Sequence, residues 1–360
     1  MRNALFLIAC IALPAPPLAA QSLQLDLDAT TTFYADNTEF SNPFRGGETL
    51  IGTFGTVLVE ARPGDRVALR LGVFGHQRFG SVHGFDDVRP VLTLVVGNAR
   101  SRLVLGTLET MRRMDGPGPD RTGPHGLVPP LQRETLAFDR PWEGGAQWTL
   151  DTDRVSQDAW IHWQRRAGPG LRERFDSGVT TRIRVREALA LRGELHLVHQ
   201  GGQVSAAEPV SDSTGAGLGV DAGGPVGAVD RVSLEGLVFV SRHVPDRGQS
   251  RSSTTGFGTL VRAAAEDGGW RLHALLWRGE DFVKAEGDPH YQSRRRDGTA
   301  YRGVRDYAEA GVTRTFSLAR GSWLEASARW HRVENDYEYS FRLLAVGRFR
   351  ARLKDSRRAY

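Results

Sequence analysis

Charged residues recur at every second position in several stretches of this chain, and this spacing is where chemistry could arise. Arg182, Arg184 and Arg186 alternate with Ile183 and Val185, while Arg192, Glu194 and His196 alternate with Leu191, Leu195 and Leu197. Glu325, Ser327, Arg329 and His331 alternate with Leu324, Ala326, Ala328 and Trp330. Arg66 and Arg70 share one phase near the start, where Asp26 and Asp28 also lie, and Arg342, Arg348 and Arg350 lie near the end. In an extended backbone, residues two apart share a face, so each stretch predicts one ionic and one apolar surface. Guanidinium groups lining an aqueous passage favour anions, because a fixed positive field lowers the barrier for the opposite charge. The same groups paired with Glu and Asp across neighbouring strands would only satisfy a wet interior.

The chain offers less for catalysis or metal binding. His76, His83, His125, His243 and His290 fall in polar segments without a neighbouring Ser or Asp in a coupled motif, and the Asp86-Asp87 pair near His83 comes nearest to one. No HxxxH, CxxC or Asp/Gly calcium-loop spacing occurs, so neither a metal nor another cofactor is expected, and no enzymatic activity. Arg294-Arg295-Arg296 reads as a solvated run able to meet lipopolysaccharide phosphates.

Strands must carry the alternation. Ser22 to Tyr34 alternates strictly, and Glu48 to Glu60 and Arg66 to Gly75 form a hairpin through Arg62-Pro63-Gly64-Asp65, a turn set by Pro and Gly. Further pairs are Val88 to Val96 with Arg100 to Thr110, Leu136 to Asp151 with Ser156 to Arg166, and Phe175 to Arg186 with Ala188 to Gln200. Thr214 to Ala222 pairs with Val229 to Arg242, Ser252 to Ala265 with Trp270 to Phe282, and Gly303 to Leu318 with Ser322 to Val333. Tyr337 to Arg352 closes a series of about sixteen strands, many longer than the usual five or six residues. Tight turns alternate with long polar loops, except at Glu334-Asn335-Asp336, where a long loop would be due. The longest connection, Met111 to Thr135, is rich in Pro and Gly.

Composition fits this reading. The 360 residues include 42 Gly, 17 Pro and one Cys, and lack the several apolar runs of about 20 residues that a helical membrane protein needs. Of 47 basic residues only Lys284 and Lys354 are lysines, so 45 arginines face 42 acids, spread along the chain rather than gathered as in a nucleic-acid binder. Met1 to Ala20 has the form of a secretory signal peptide, which makes residues 21–360 a single domain. Cys10 would leave with it.

An even-stranded antiparallel meander with short turns on one rim and long loops on the other resembles the Gram-negative outer-membrane β-barrels, in particular the sixteen-stranded porin-like ones. Tyr337, Tyr339, Phe341 and Phe349 resemble their interfacial aromatic girdle, whereas the basic stretch Lys354 to Arg358 departs from their usual aromatic end. The resemblance implies an all-β transmembrane barrel with short periplasmic turns and long extracellular loops, partnered by outer-membrane lipid and lipopolysaccharide rather than nucleic acid. It implies a channel for small hydrophilic, anionic solutes, with Arg66, Arg70, Arg182, Arg184, Arg186, Arg192, Glu194, Glu325, Arg329, Arg342 and Arg348 lining the pore. By position, Met111 to Thr135 resembles a constriction loop, presenting Arg112, Arg113, Asp115, Asp120, Arg121 and His125 to the opposite wall. An export conduit for a polysaccharide and a barrel hydrolase are the alternatives. No buried apolar core is expected, and an arginine should be tolerated at lumen-facing His196 but not at lipid-facing Leu195.

Overall fold

The computed structural model describes residues 23–110, 123–202 and 208–355. Sixteen antiparallel strands close into one barrel in which each strand pairs with its sequence neighbours and the last returns to the first. They are β1 (Gln24–Glu39), β2 (Glu48–Gly64), β3 (Val67–Arg78), β4 (Asp87–Gly97), β5 (Ser101–Thr107), β6 (Gly144–Asp151), β7 (Val155–Arg165) and β8 (Glu173–Arg186). The second half comprises β9 (Leu189–Gly201), β10 (Ser211–Val226), β11 (Val229–Val244), β12 (Thr254–Asp267), β13 (Trp270–Glu280), β14 (Arg305–Ser317), β15 (Trp323–Val333) and β16 (Asp336–Asp355). Closure leaves no strand edge unpaired in hydrocarbon, where an unmade backbone hydrogen bond costs several kcal/mol. At the seam β1 pairs with β16 from Gln24 opposite Asp355 to Glu39 opposite Tyr339. Arg350 reaches Asp26 at 2.9 Å and Arg342 bonds Asp36, so acids of the first strand meet arginines of the last.

Side-chain phase follows the alternation. Leu191 and Leu195 are exposed to the membrane while Arg192, Glu194 and His196 are buried inside, and Tyr337, Tyr339, Phe341 and Phe349 stand outward. Leu195 lies midway along β9, so Leu195→Arg is expected to cost about 2 to 4 kcal/mol of folding free energy in bilayers. A urea titration in lipid vesicles measures it, and an unchanged midpoint would refute the phase. The expected tolerance at position 196 fails for a different reason. His196 is fully buried between Asp176 and the Leu131 carbonyl, so the lumen there is filled rather than wet.

Two long loops do the filling. Leu127, Val128 and Leu131 from the loop after β5, with Phe282 and Tyr291 from the loop after β13, pack against Trp160, Leu237, Leu260 and Trp277 of the wall. The lumen therefore contains the apolar core that alternation did not predict, formed because two loops rich in apolar residues meet wall positions that are apolar on the inner face. The strand expected from Leu136 is also displaced. Leu136–Asp139 is one helical turn, α1, with Leu136, Ala137 and Phe138 buried, and β6 begins only at Gly144.

Candidate active site in the barrel lumen

The inward loops are fastened by polar bonds to the wall. Val128 N–H donates to Glu194 at 3.1 Å, Arg192 donates to the Gly126 carbonyl at 2.9 Å, and Thr180 donates to the His125 carbonyl at 3.0 Å. His125 itself sits in left-handed backbone with φ 56°, stacked on Trp160 at 4.0 Å. Its two ring nitrogens meet Glu143 at 2.8 Å and Asp158 at 3.1 Å. Burial would push its pKa down, but the Glu143 carboxylate and the hydrogen bond to Asp158 outweigh it and hold the imidazolium up to about 10.

The second loop is tied in by Glu286, which accepts from Arg140 at 2.8 Å and Arg174 at 3.0 Å. Those arginines outweigh the effect of burial and hold the Glu286 carboxyl down at about 2, while burial pushes the neighbouring Lys284 ammonium down to about 7. Asp176, His196 and Glu286 bring ligand-type atoms within 4.8 Å of one another. With Arg140 and Arg174 already neutralising Glu286, this trio serves as an ionic anchor between loop and wall.

Below the packed loops lies a cavity of about 370 Å³. Its closed end is formed by Phe40, Arg45, His290 and Tyr291, and it runs down to Asp267, Gly269, Trp270 and Ser317 at the short-turn rim. Three neighbouring strands place a coupled set of side chains in its wall. Ser340 Oγ of β16 lies 2.9 Å from His331 Nε2 of β15, and His331 Nδ1 lies 2.7 Å from the hydroxyl of Tyr307 on β14. That hydroxyl donates to Glu309 at 2.8 Å. His273 Nε2 lies 2.9 Å from the other Glu309 oxygen, and Phe40 closes edge-on over His331. The register sets Arg329 opposite Ser340 across the β15–β16 ladder. Arg329 and Arg342 both line the cavity and both bond the loop residue Glu134, at 3.0 and 2.9 Å. The pair outweighs the effect of burial and holds the Glu134 carboxyl down at about 2.

A hydroxyl, an imidazole and a carboxylate in this order are the components of nucleophilic catalysis. With Tyr307 donating to Glu309, its oxygen is free to accept from Nδ1–H, which leaves Nε2 as the acceptor for the Ser340 proton.

The residues anticipated from sequence are scattered. Arg70 bonds Glu60 and Glu109, Arg182 bonds Asp221, and Arg192 bonds Glu194 and Glu235, all on the inner face. Glu325, Arg329 and Arg342 line the cavity, and Arg348 lies half-buried further along β16. Arg66 belongs to the β2–β3 turn rather than the wall, and Arg184 and Arg186 are exposed at the short-turn end of β8, where the strand runs beyond the lumen. His125 faces its own wall instead of an arginine cluster opposite. Arg112, Arg113, Asp115, Asp120 and Arg121 lie outside the described residues. Asp86 is engaged by Ser81 and the Arg78 N–H rather than by His83. Tyr307, Glu309 and Ser340 escaped the sequence reading, although each shares the inward phase of its strand, a signal that alternation alone could have supplied.

Solved structures share this architecture. A loop-deletion mutant of OmpT, an outer-membrane protein of Vibrio cholerae, superposes with a TM-score of 0.56 at 12% identity, covering 91% of this chain and 99% of that one. OmpT expressed in the outer membrane gives 0.56 at 11% identity over 92% and 99%. OpdQ of Pseudomonas aeruginosa gives 0.50 at 10% identity over 92% and 99%. At such identities the likeness shows the fold alone, a porin-like barrel of the Gram-negative outer membrane. No curated protein matches the chain in sequence. Residues 16–353 match the sequence model described as lipid A 3'-O-deacylase-type. Since that is an enzyme family, the expectation of a chain without enzymatic activity is overturned. This sixteen-stranded outer-membrane barrel belongs to the lipid A 3'-O-deacylase-type family.

Proposed function

We propose that this protein hydrolyses a carboxylic ester inside the barrel lumen. The observation that carries the reading is the hydrogen-bonded series Ser340, His331, Tyr307, Glu309 in the wall of the cavity. O-deacylation, the reaction in the family's description, is cleavage of an ester. Ser340 Oγ attacks the ester carbonyl carbon while its proton passes to His331 Nε2. The carbon–oxygen bond then breaks, and the departing alkoxide takes that proton. Water, deprotonated by His331, releases the acid and restores Ser340. Glu309, through Tyr307, keeps the imidazole in the required tautomer and balances its transient charge. Arg329 lies where a cation can stabilise the charge that develops on the carbonyl oxygen. A passive channel is less well supported, because the loops occupy the long-loop half of the lumen.

The test is release of p-nitrophenol from short p-nitrophenyl esters by the purified protein in detergent, together with mass spectrometry of lipid A incubated with it. Activity on either substrate class that disappears in Ser340→Ala supports the reading, and its absence on both overturns it. Tyr307→Phe is expected to lower kcat about 10- to 100-fold with little change in KM, because it removes the bridge but leaves nucleophile and base in place. An unchanged kcat would remove Tyr307 from the relay.

A further inference from the structure

Independently of the chemistry in the lumen, we infer that the outer face of β13 to β15 holds one lipopolysaccharide molecule of the outer leaflet as a boundary lipid, its phosphates on Arg278 and Arg332. Three strands that run toward the long loops each end their apolar outer face on an arginine. Val238 and Val240 precede Arg242 on β11, Leu272 and Leu276 precede Arg278 on β13, and Trp330 precedes Arg332 on β15, all in the exposed phase. In an outer-membrane barrel the long loops face the cell exterior, so this edge meets the headgroups of the outer leaflet. In Gram-negative bacteria that leaflet is built of lipopolysaccharide.

These arginines are left to an outside partner. Among the described residues Arg242 and Arg332 make no ion pair, and Arg278, with its side chain 71% exposed, meets Asp306 only at 3.9 Å. Elsewhere arginines near the long loops are neutralised in place, Arg165 by Glu208, Arg247 by Asp212 and Arg89 by Asp87. A guanidinium without a carboxylate at the edge of hydrocarbon calls for an anion, and phosphate offers it bidentate, charge-assisted hydrogen bonds. The register sets Arg278 opposite Asp306 and Arg332 opposite Ala308, so the two bracket β14. Two strand spacings of about 4.8 Å and an offset of two residues separate their Cα atoms by about 12 Å, a span that phosphates at the two ends of a disaccharide headgroup match. Below them Ala308 and Ala310 lie between Leu276 and Trp330. Their small side chains leave a trough in which an acyl chain fits, and Arg242 widens the same positive edge.

Delipidated Ser340→Ala protein in nonionic detergent, which does not consume the probe, is titrated with diphosphoryl lipid A and read by native mass spectrometry. One equivalent is expected to bind, more weakly as salt rises, because the contacts are ionic and lie at an exposed surface. Adding Arg278→Gln and Arg332→Gln together should weaken that equivalent at least about tenfold. Arg314→Gln, at the short-turn edge of the outer face over Trp270, should leave it unchanged. Asp306→Asn removes the carboxylate that faces Arg278 and should tighten binding by about two- to threefold, a test that stands if the double arginine variant fails to fold. Unchanged affinity in the folded arginine variant, or equal binding of dephosphorylated lipid A, would overturn the site. Phosphatidylglycerol held as tightly would overturn lipopolysaccharide as its occupant. Because each measurement is of binding to the outer wall, failure of the hydrolase reading alters none of these outcomes.

Discussion

Ser340→Ala is expected to lower kcat for ester hydrolysis by on the order of 10⁴- to 10⁶-fold while leaving the barrel folded. The substitution removes one hydroxyl whose partner is His331 Nε2, and the Cα positions on either side stay paired in the β15–β16 ladder. His331→Gln should cause a loss of similar size, because it removes the proton acceptor while keeping a polar side chain between Tyr307 and Ser340. The two changes act on one unit, so the double variant is expected to be no slower than the worse single one, whereas independent contributions would multiply. Steady-state kinetics with heat-modifiability on gels as the folding control reads both. A folded Ser340→Ala protein that retains more than about a tenth of the wild-type kcat would exclude Ser340 as nucleophile.

His125→Leu is expected to destabilise the packed lumen by about 3 to 5 kcal/mol, the cost of removing one partner from a buried ionic group. Glu143 and Asp158 both point at this imidazolium, and without it two buried carboxylates face each other while Gln147 still donates to Asp158. Thermal unfolding in detergent and protease sensitivity of the loop should both report the loss, and Glu143→Gln in the same chain should restore part of it. The pH dependence follows in sign. A pKa raised from its ordinary value near 6.5 to about 10 contributes stability that is complete below pH 6.5 and declines as pH rises toward 10. The wild-type midpoint should therefore fall over that interval by more than that of the His125→Leu variant. Parallel pH profiles would mean that the imidazolium does not hold the loop.

Much of the fold was legible because the pattern that encodes it is local. Period-two alternation sets the face of each side chain without reference to any other strand, which is why Leu195 faces lipid and Arg192, Glu194 and His196 face inward as read. Strand count and the short-turn rhythm then require closure, which brings Asp26 beside Arg350. Helix α1 departs from the expected strand because Leu136 and Phe138 alternate over a span too short to distinguish a strand from a buried turn.

Alternation and turn rhythm alone specify the barrel and the inner and outer faces of its wall. What fills the lumen, and which inward residues become neighbours, depends on contacts between distant segments. Leu127, Val128 and Leu131 turn inward because β11, β12 and β13 together present an apolar inner patch, a surface that exists only once those strands are in register. Likewise, Ser340 on β16, His331 on β15, and Tyr307 and Glu309 on β14 each carry the inward phase of their strand. Phase is a property of one backbone, but a 2.9 Å contact between Ser340 and His331 depends on the stagger between two strands, which the whole closed sheet fixes.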